Sequence, residues 1–136
     1  MIRTIYFAHD FQESPEPRKH LLELSGYVVR LLGSNRELMD ALEERAPSLL
    51  LIDTLLEGKN GFATAEEVTE RYPERTFPIL LCTTIYRSRP FREEALRCGA
   101  QDYFLLPVSP DELLRRVNQA IAYFVPPDAR TAPAPV

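Results

Sequence analysis

Four runs of consecutive apolar residues punctuate the chain: Ile5-Tyr6-Phe7-Ala8, Leu49-Leu50-Leu51-Ile52, Ile79-Leu80-Leu81-Cys82 and Tyr103-Phe104-Leu105-Leu106. These four are continuous instead of alternating, as expected of strands buried on both faces of a parallel sheet. A fifth apolar run spans Tyr27 to Leu32. Each continuous run ends in a distinct way, at His9-Asp10, at Asp53, at Thr83-Thr84 and at Pro107.

Helical patterns lie between the runs. Ser14-Pro15 reads as an N-cap followed by proline at the first helical position, and Gly26 closes that element. Ser34 and Glu37 read as a capping box before the apolar stripe Leu38, Ala41 and Leu42, which Pro47 stops. A third helix is expected from about Phe62 to Tyr72, and a fourth from near Pro90 to Gly99. Ser109-Pro110-Asp111-Glu112 opens the fifth, with Leu113, Leu114, Val117, Ile121 and Phe124 on its buried face. Strand–helix alternation repeated five times predicts an α/β domain around a parallel sheet, with right-handed crossovers. The reading assigns residues 1–125 to this domain and 126–136 to a disordered Pro/Ala-rich tail.

A length of 136 residues suits one domain, large enough to fold without disulfides or metal. No apolar run approaches the ~18 residues of a membrane span, and the N-terminus lacks signal-peptide character. Cys82 and Cys98 are too few and too widely spaced for a disulfide framework or zinc motif. A reduced, cytoplasmic protein is expected, with Cys82 in its core. The net charge of −4 argues against wholesale nucleic-acid binding. No Gly-x-Gly and no Gly-Lys-Ser/Thr occurs, so dinucleotide and P-loop sites are disfavoured.

Ligands of open α/β sheets bind at the carboxyl ends of the strands. Asp10, Asp53 and Thr83 fall there. Two carboxylates and a hydroxyl suit a hard cation such as magnesium, which takes oxygen ligands.

The run Leu-Leu-Leu-Ile-Asp53-Thr-Leu-Leu-Glu-Gly-Lys-Asn-Gly61-Phe, the strand Pro78-Ile-Leu-Leu-Cys-Thr83-Thr84, and the segments from Gly99 to Pro107 and from Ser109 to Leu114 together resemble the receiver domain of bacterial two-component response regulators. The resemblance covers residue 3 to about 124. It implies a doubly wound, flavodoxin-like (CheY-like) sheet of five parallel strands in the order 2-1-3-4-5. It implies Asp53 as phospho-acceptor, Asp10, Asp53 and the Leu55 backbone carbonyl as magnesium ligands, Thr83 as the hydroxyl that bonds the phosphoryl group, and Tyr103 as an aromatic switch. It also implies a cis peptide at Leu106-Pro107, and a histidine kinase or other signalling protein as partner; the charge and the apolar runs lead to the expectation of no nucleic acid and no membrane.

Two positions depart from the family pattern. The acidic pair after the first strand is His9-Asp10, and the lysine before the proline after the fifth strand is Leu106. Magnesium is therefore expected to bind weakly or not at all, with His9 a possible additional ligand. Of sixteen basic residues only Lys19 and Lys59 are lysines, and Arg87 or Arg89 are the candidates to reach the vacated position. With Arg92 and Arg97 these arginines form a solvated helix face or a docking surface. The sequence supports an atypical stand-alone receiver module with impaired phosphorylation, signalling by protein–protein contact and catalysing at most its own modification. The alternative is a pseudo-receiver, a phosphorylation-independent interaction scaffold. Oligomeric state is left open.

Overall fold

A computed structural model describes residues 2–9 and 14–126. Five strands, β1 (Thr4–Ala8), β2 (Val28–Leu32), β3 (Leu49–Asp53), β4 (Ile79–Thr83) and β5 (Asp102–Leu105), alternate with five helices. The helices are α1 (Glu16–Leu24), α2 (Asn35–Glu44), α3 (Gly61–Arg71), α4 (Arg89–Arg97) and α5 (Pro110–Tyr123). All strand pairings are parallel and the order is β2-β1-β3-β4-β5, as expected. Among the described residues, no helix is long and apolar enough to cross a membrane.

The continuous apolar runs are buried on both faces, and their period of two divides the core. Ile5, Phe7, Leu49, Leu51, Leu80, Cys82 and Phe104 point to one face, where Leu22 of α1 and Leu113 and Val117 of α5 cover them. Tyr6, Ala8, Leu50, Ile52, Ile79, Leu81 and Tyr103 point to the other, packing against Leu38, Leu42, Ala65, Val68 and Ala95 from α2, α3 and α4. By the same parity Asp53 leaves β3 on the α1/α5 face, and Thr83 leaves β4 on the α3/α4 face.

The helix starts follow their caps, with two corrections. α1 begins at Glu16, and Pro15, not Ser14, occupies the cap position. The Ser14 hydroxyl instead accepts from the Glu16 N–H at 3.4 Å, bridging the donorless proline. Ser34 accepts from the Glu37 N–H, but the Glu37 carboxylate reaches back to the N–H of Gly33, one residue before the expected partner. α4 begins at Arg89, and α3 one residue early, at Gly61 behind an Asn60 cap. Gly61 must be glycine: a Cβ there would stand 2.6 Å from the Asp53 carbonyl oxygen. That close approach seats the start of α3 against the end of β3. The Leu106-Pro107 peptide is cis.

Candidate functional site

Asp53, the last residue of β3, is 5% exposed. Such burial of a carboxylate demands a partner, and Arg18 of α1 provides it. Arg18 Nη1 donates to Asp53 Oδ1 at 3.0 Å and Nη2 to Oδ2 at 3.4 Å. The two side chains are 13% and 7% exposed. The guanidinium also rests on the ring of Phe7, with Cζ 4.6 Å from its centroid, a cation–π contact on its apolar side. Cys82 lies directly across the ladder from Asp53, and its thiol donates to Oδ1 at 2.8 Å. Burial, reinforced by the charge of Asp53, pushes the Cys82 thiol pKa well above its ordinary value, so it is a neutral donor here. Cys82 is core, as expected, and part of the acidic site as well.

Arg18 escaped the sequence reading, although a signal existed. It stands four residues before Leu22, which is fully buried, and so on the inward stripe of α1. It is also the third residue of its helix, where the positive end of the helix dipole disfavours a cation by roughly 0.3–1 kcal/mol. An inward-facing arginine in a first turn calls for an anion across the sheet.

Arg87 and Arg89 do not reach Asp53. Arg87 Nη1 donates to the Leu106 carbonyl at 3.4 Å, and Arg89 pairs with Glu93 in solvent. Arg92 caps the Tyr103 carbonyl at 3.0 Å and Arg97 pairs with Glu94, so the arginines after β4 are engaged locally. α1 carries Arg18 over the end of β3, whereas Arg87 and Arg89 are engaged by Leu106 and Glu93.

Thr83 builds the second half of the site. Its Oγ accepts from the N–H groups of Ile85 and Tyr86, both at 3.2 Å, and pairs with the Thr54 hydroxyl at 2.8 Å. Thr54 is 1% exposed and was not singled out in the sequence. Tyr103 is buried and turned inward, its hydroxyl donating to the Tyr86 carbonyl at 2.5 Å. Burial raises its phenol pKa. Its ring lies 6.0 Å from Phe62, which continues through Tyr86 to Phe91, whose centroids are 4.7 Å apart.

The two halves meet at a cleft of about 10 Å³ lined by Asp53, Thr54, Leu55, Cys82, Thr83, Thr84 and Leu106. That is room for at most about one water molecule. Leu106, 7% exposed, closes the wall where the family pattern places a lysine. Of the sequence-predicted site, Asp53, Leu55 and Thr83 therefore converge, and Tyr103 is linked to them through the Tyr86 loop. Asp10 lies outside the described residues. His9 follows β1, half-buried, its ring edge-on to Phe7 at 5.9 Å. Among the described residues, no three His, Cys, Asp or Glu side chains cluster as metal ligands.

Among the described residues, the surroundings of Asp53 do not fit a hydrated magnesium ion while Arg18 is in place. Such an ion needs oxygen ligands at about 2.0–2.1 Å in near-octahedral geometry and keeps several waters. The cleft has no volume for them, and both carboxylate oxygens already face the guanidinium. A divalent ion at Asp53 would stand beside the Arg18 guanidinium, whose charge already neutralises the carboxylate and opposes a second cation.

Residues 5–118 match the family profile described as the response regulator receiver domain. A 14.6 kDa uncharacterised protein of Leptolyngbya boryana is 34% identical over 86% of this chain and 90% of its own length. The transcriptional regulatory protein ZraR of Escherichia coli O157:H7 is 34% identical over 82% of this chain, which spans only 24% of that larger protein. A solved structure of a putative response regulator from Chloroflexus aurantiacus superposes with a TM-score of 0.82 at 28% identity, covering 90% of this chain and 99% of its own.

Proposed function

Because the chain belongs to the response regulator receiver domain family of two-component signalling, we propose that Asp53 is its phospho-acceptor and that Arg18 makes it an atypical, impaired one. The observation that carries the reading is the bidentate Arg18–Asp53 pair beside a cleft of only about 10 Å³. In the reaction an Asp53 carboxylate oxygen attacks the phosphorus of a phosphohistidine on a partner kinase. A P–O bond forms, the P–N bond breaks, and its electron pair leaves with the imidazole, which takes up a proton.

Phosphorylation adds about −1.5 to −2 charges. Leu106 cannot balance them, whereas Arg18 stands at the attacking oxygens. In attack Arg18 has two opposed effects. It lowers the nucleophilicity of Asp53 by hydrogen-bonding both oxygens, and it offers N–H donors to the incoming phosphoryl oxygens. Thr83 would have to leave the Ile85 and Tyr86 N–H groups to bond the phosphoryl group. That exchange would free the Ile85–Tyr86 loop to which the Tyr103 hydroxyl donates, and output would follow by protein–protein contact. Asp10, the Leu55 carbonyl and, with them, His9 are the remaining candidates for metal ligation.

The small cleft also favours a second reading, a pseudo-receiver that uses the fold as an unphosphorylated interaction scaffold. Incubation of the full chain with magnesium and a small acyl phosphate donor, followed by intact mass measurement, separates the two. Slow gain of one phosphoryl group, abolished by Asp53→Asn, is the expected result. No gain over hours would establish the scaffold.

A further inference from the structure

We propose that the Arg18 guanidinium and a divalent cation are alternative occupants of one anionic position at Asp53, so that Arg18 sets the metal affinity of this protein. Three observations carry the inference. The guanidinium engages both Asp53 oxygens, so its charge stands where a cation bound to this carboxylate would stand. The cleft lined by Asp53 and Thr83 holds about 10 Å³, too little for a metal with its waters while Arg18 stays in place. Arg18 nevertheless has somewhere to go. A groove of about 280 Å³ opens beside it, lined by Ser14, Pro17, Thr84, Leu106, Pro107 and Val108.

The two occupants are unequal in what they cost. Arg18 is tethered to α1 and preorganised by the Phe7 ring beneath it. It occupies the site at a high effective concentration and needs no ordering of water. A divalent cation carries twice the charge and must displace the guanidinium from both Phe7 and Asp53. A cation would find its position taken until the guanidinium left Asp53, and the groove between the start of α1 and the loop after β5 is the space open to that side chain.

The inference shares with the proposed function only Asp53 as the anionic centre. Its test requires no phosphoryl transfer, so each can fail alone. Manganese and magnesium are titrated calorimetrically into the full-length native protein, Arg18→Gln, Arg18→Lys and the double variant Arg18→Gln/Asp53→Asn. Glutamine keeps a hydrogen-bond donor over Phe7 and removes the charge. Arg18→Gln is expected to bind both metals at least tenfold more tightly than the native protein, and the double variant to lose that gain. Arg18→Lys, with a shorter reach and a point charge, should tighten binding less; it serves alone should the glutamine variant fail to fold. Equal or weaker binding by Arg18→Gln, or by Arg18→Lys when it serves alone, overturns the inference. So does a gain that survives Asp53→Asn, or binding detectable in none of the proteins.

Discussion

Asp53 and Thr83 stand at the ends of neighbouring strands, yet they are held by opposite kinds of chemistry. On the α1/α5 face Asp53 is held by the charge of Arg18, with a hydrogen bond from the neutral Cys82 thiol beside it. On the α3/α4 face Thr83 is held by neutral hydrogen bonds to Thr54, Ile85 and Tyr86, backed by aromatic rings. The pleat creates the difference. The ladder sets Asp53 opposite Cys82, so Thr83, one residue further along β4, points the other way. A buried ion pair tolerates the loss of one member badly, because the surviving charge is stranded. A buried hydroxyl cluster loses only a hydrogen bond or two. The acidic half should therefore be stiff and sensitive, and the hydroxyl half adaptable, as suits the half that must rearrange.

The largest expected effect comes from stranding Asp53. Arg18→Ala should lower stability by about 3 kcal/mol, at the low end for a buried pair because the two side chains retain 13% and 7% exposure. Urea denaturation measures it, and a loss below about 1 kcal/mol would place the pair with surface ion pairs. Next is Leu106→Lys, which drives a second cation into a wall that is 7% exposed, beside a cleft Arg18 already neutralises. A loss of about 2 kcal/mol is expected. An unchanged melting temperature would show that Asp53 accepts both cations at once.

Thr83→Val tests the neutral half. It keeps the shape and removes the acceptor shared by the Ile85 and Tyr86 N–H groups, with an expected cost of about 1 kcal/mol. Amide hydrogen exchange should quicken at those two residues and not at Asp53. The smallest effect is one of pH. The folded protein holds the Cys82 proton more tightly than the unfolded chain does, because burial raises its pKa. That stability is complete below the ordinary thiol value of 9.0 and falls as pH rises past it. Cys82→Ala should flatten this alkaline limb in a series of urea melts, and a limb of unchanged slope would refute the assignment.

The same contrast marks what was legible in the sequence. Continuous apolar runs announced β1, β3, β4 and β5, because burial on both faces erases alternation. Caps at Ser34 and Ser109 and the left-handed Gly99 fixed helix limits to within a residue or so. Asp53 and Thr83 were legible as polar endings of buried runs. Arg18 was not, since its partner lies 35 positions away and only the folded sheet brings α1 over β3. Arg87 and Arg89, close to Thr83 in sequence, pair instead with the Leu106 carbonyl and Glu93. Thr54 and the second role of Cys82 were hidden for a related reason. Both depend on the β3–β4 register, which periodicity alone does not specify.

The most direct measurement is a double-mutant cycle on Arg18→Gln and Asp53→Asn, read by urea denaturation at neutral pH. Each single variant strands the other partner, whereas the double variant removes both charges. The expected coupling is at least about 1.5 kcal/mol, with the double variant more stable than Arg18→Gln alone. Additive losses, with coupling near zero, would contradict the claim that Arg18 is the counter-charge of Asp53.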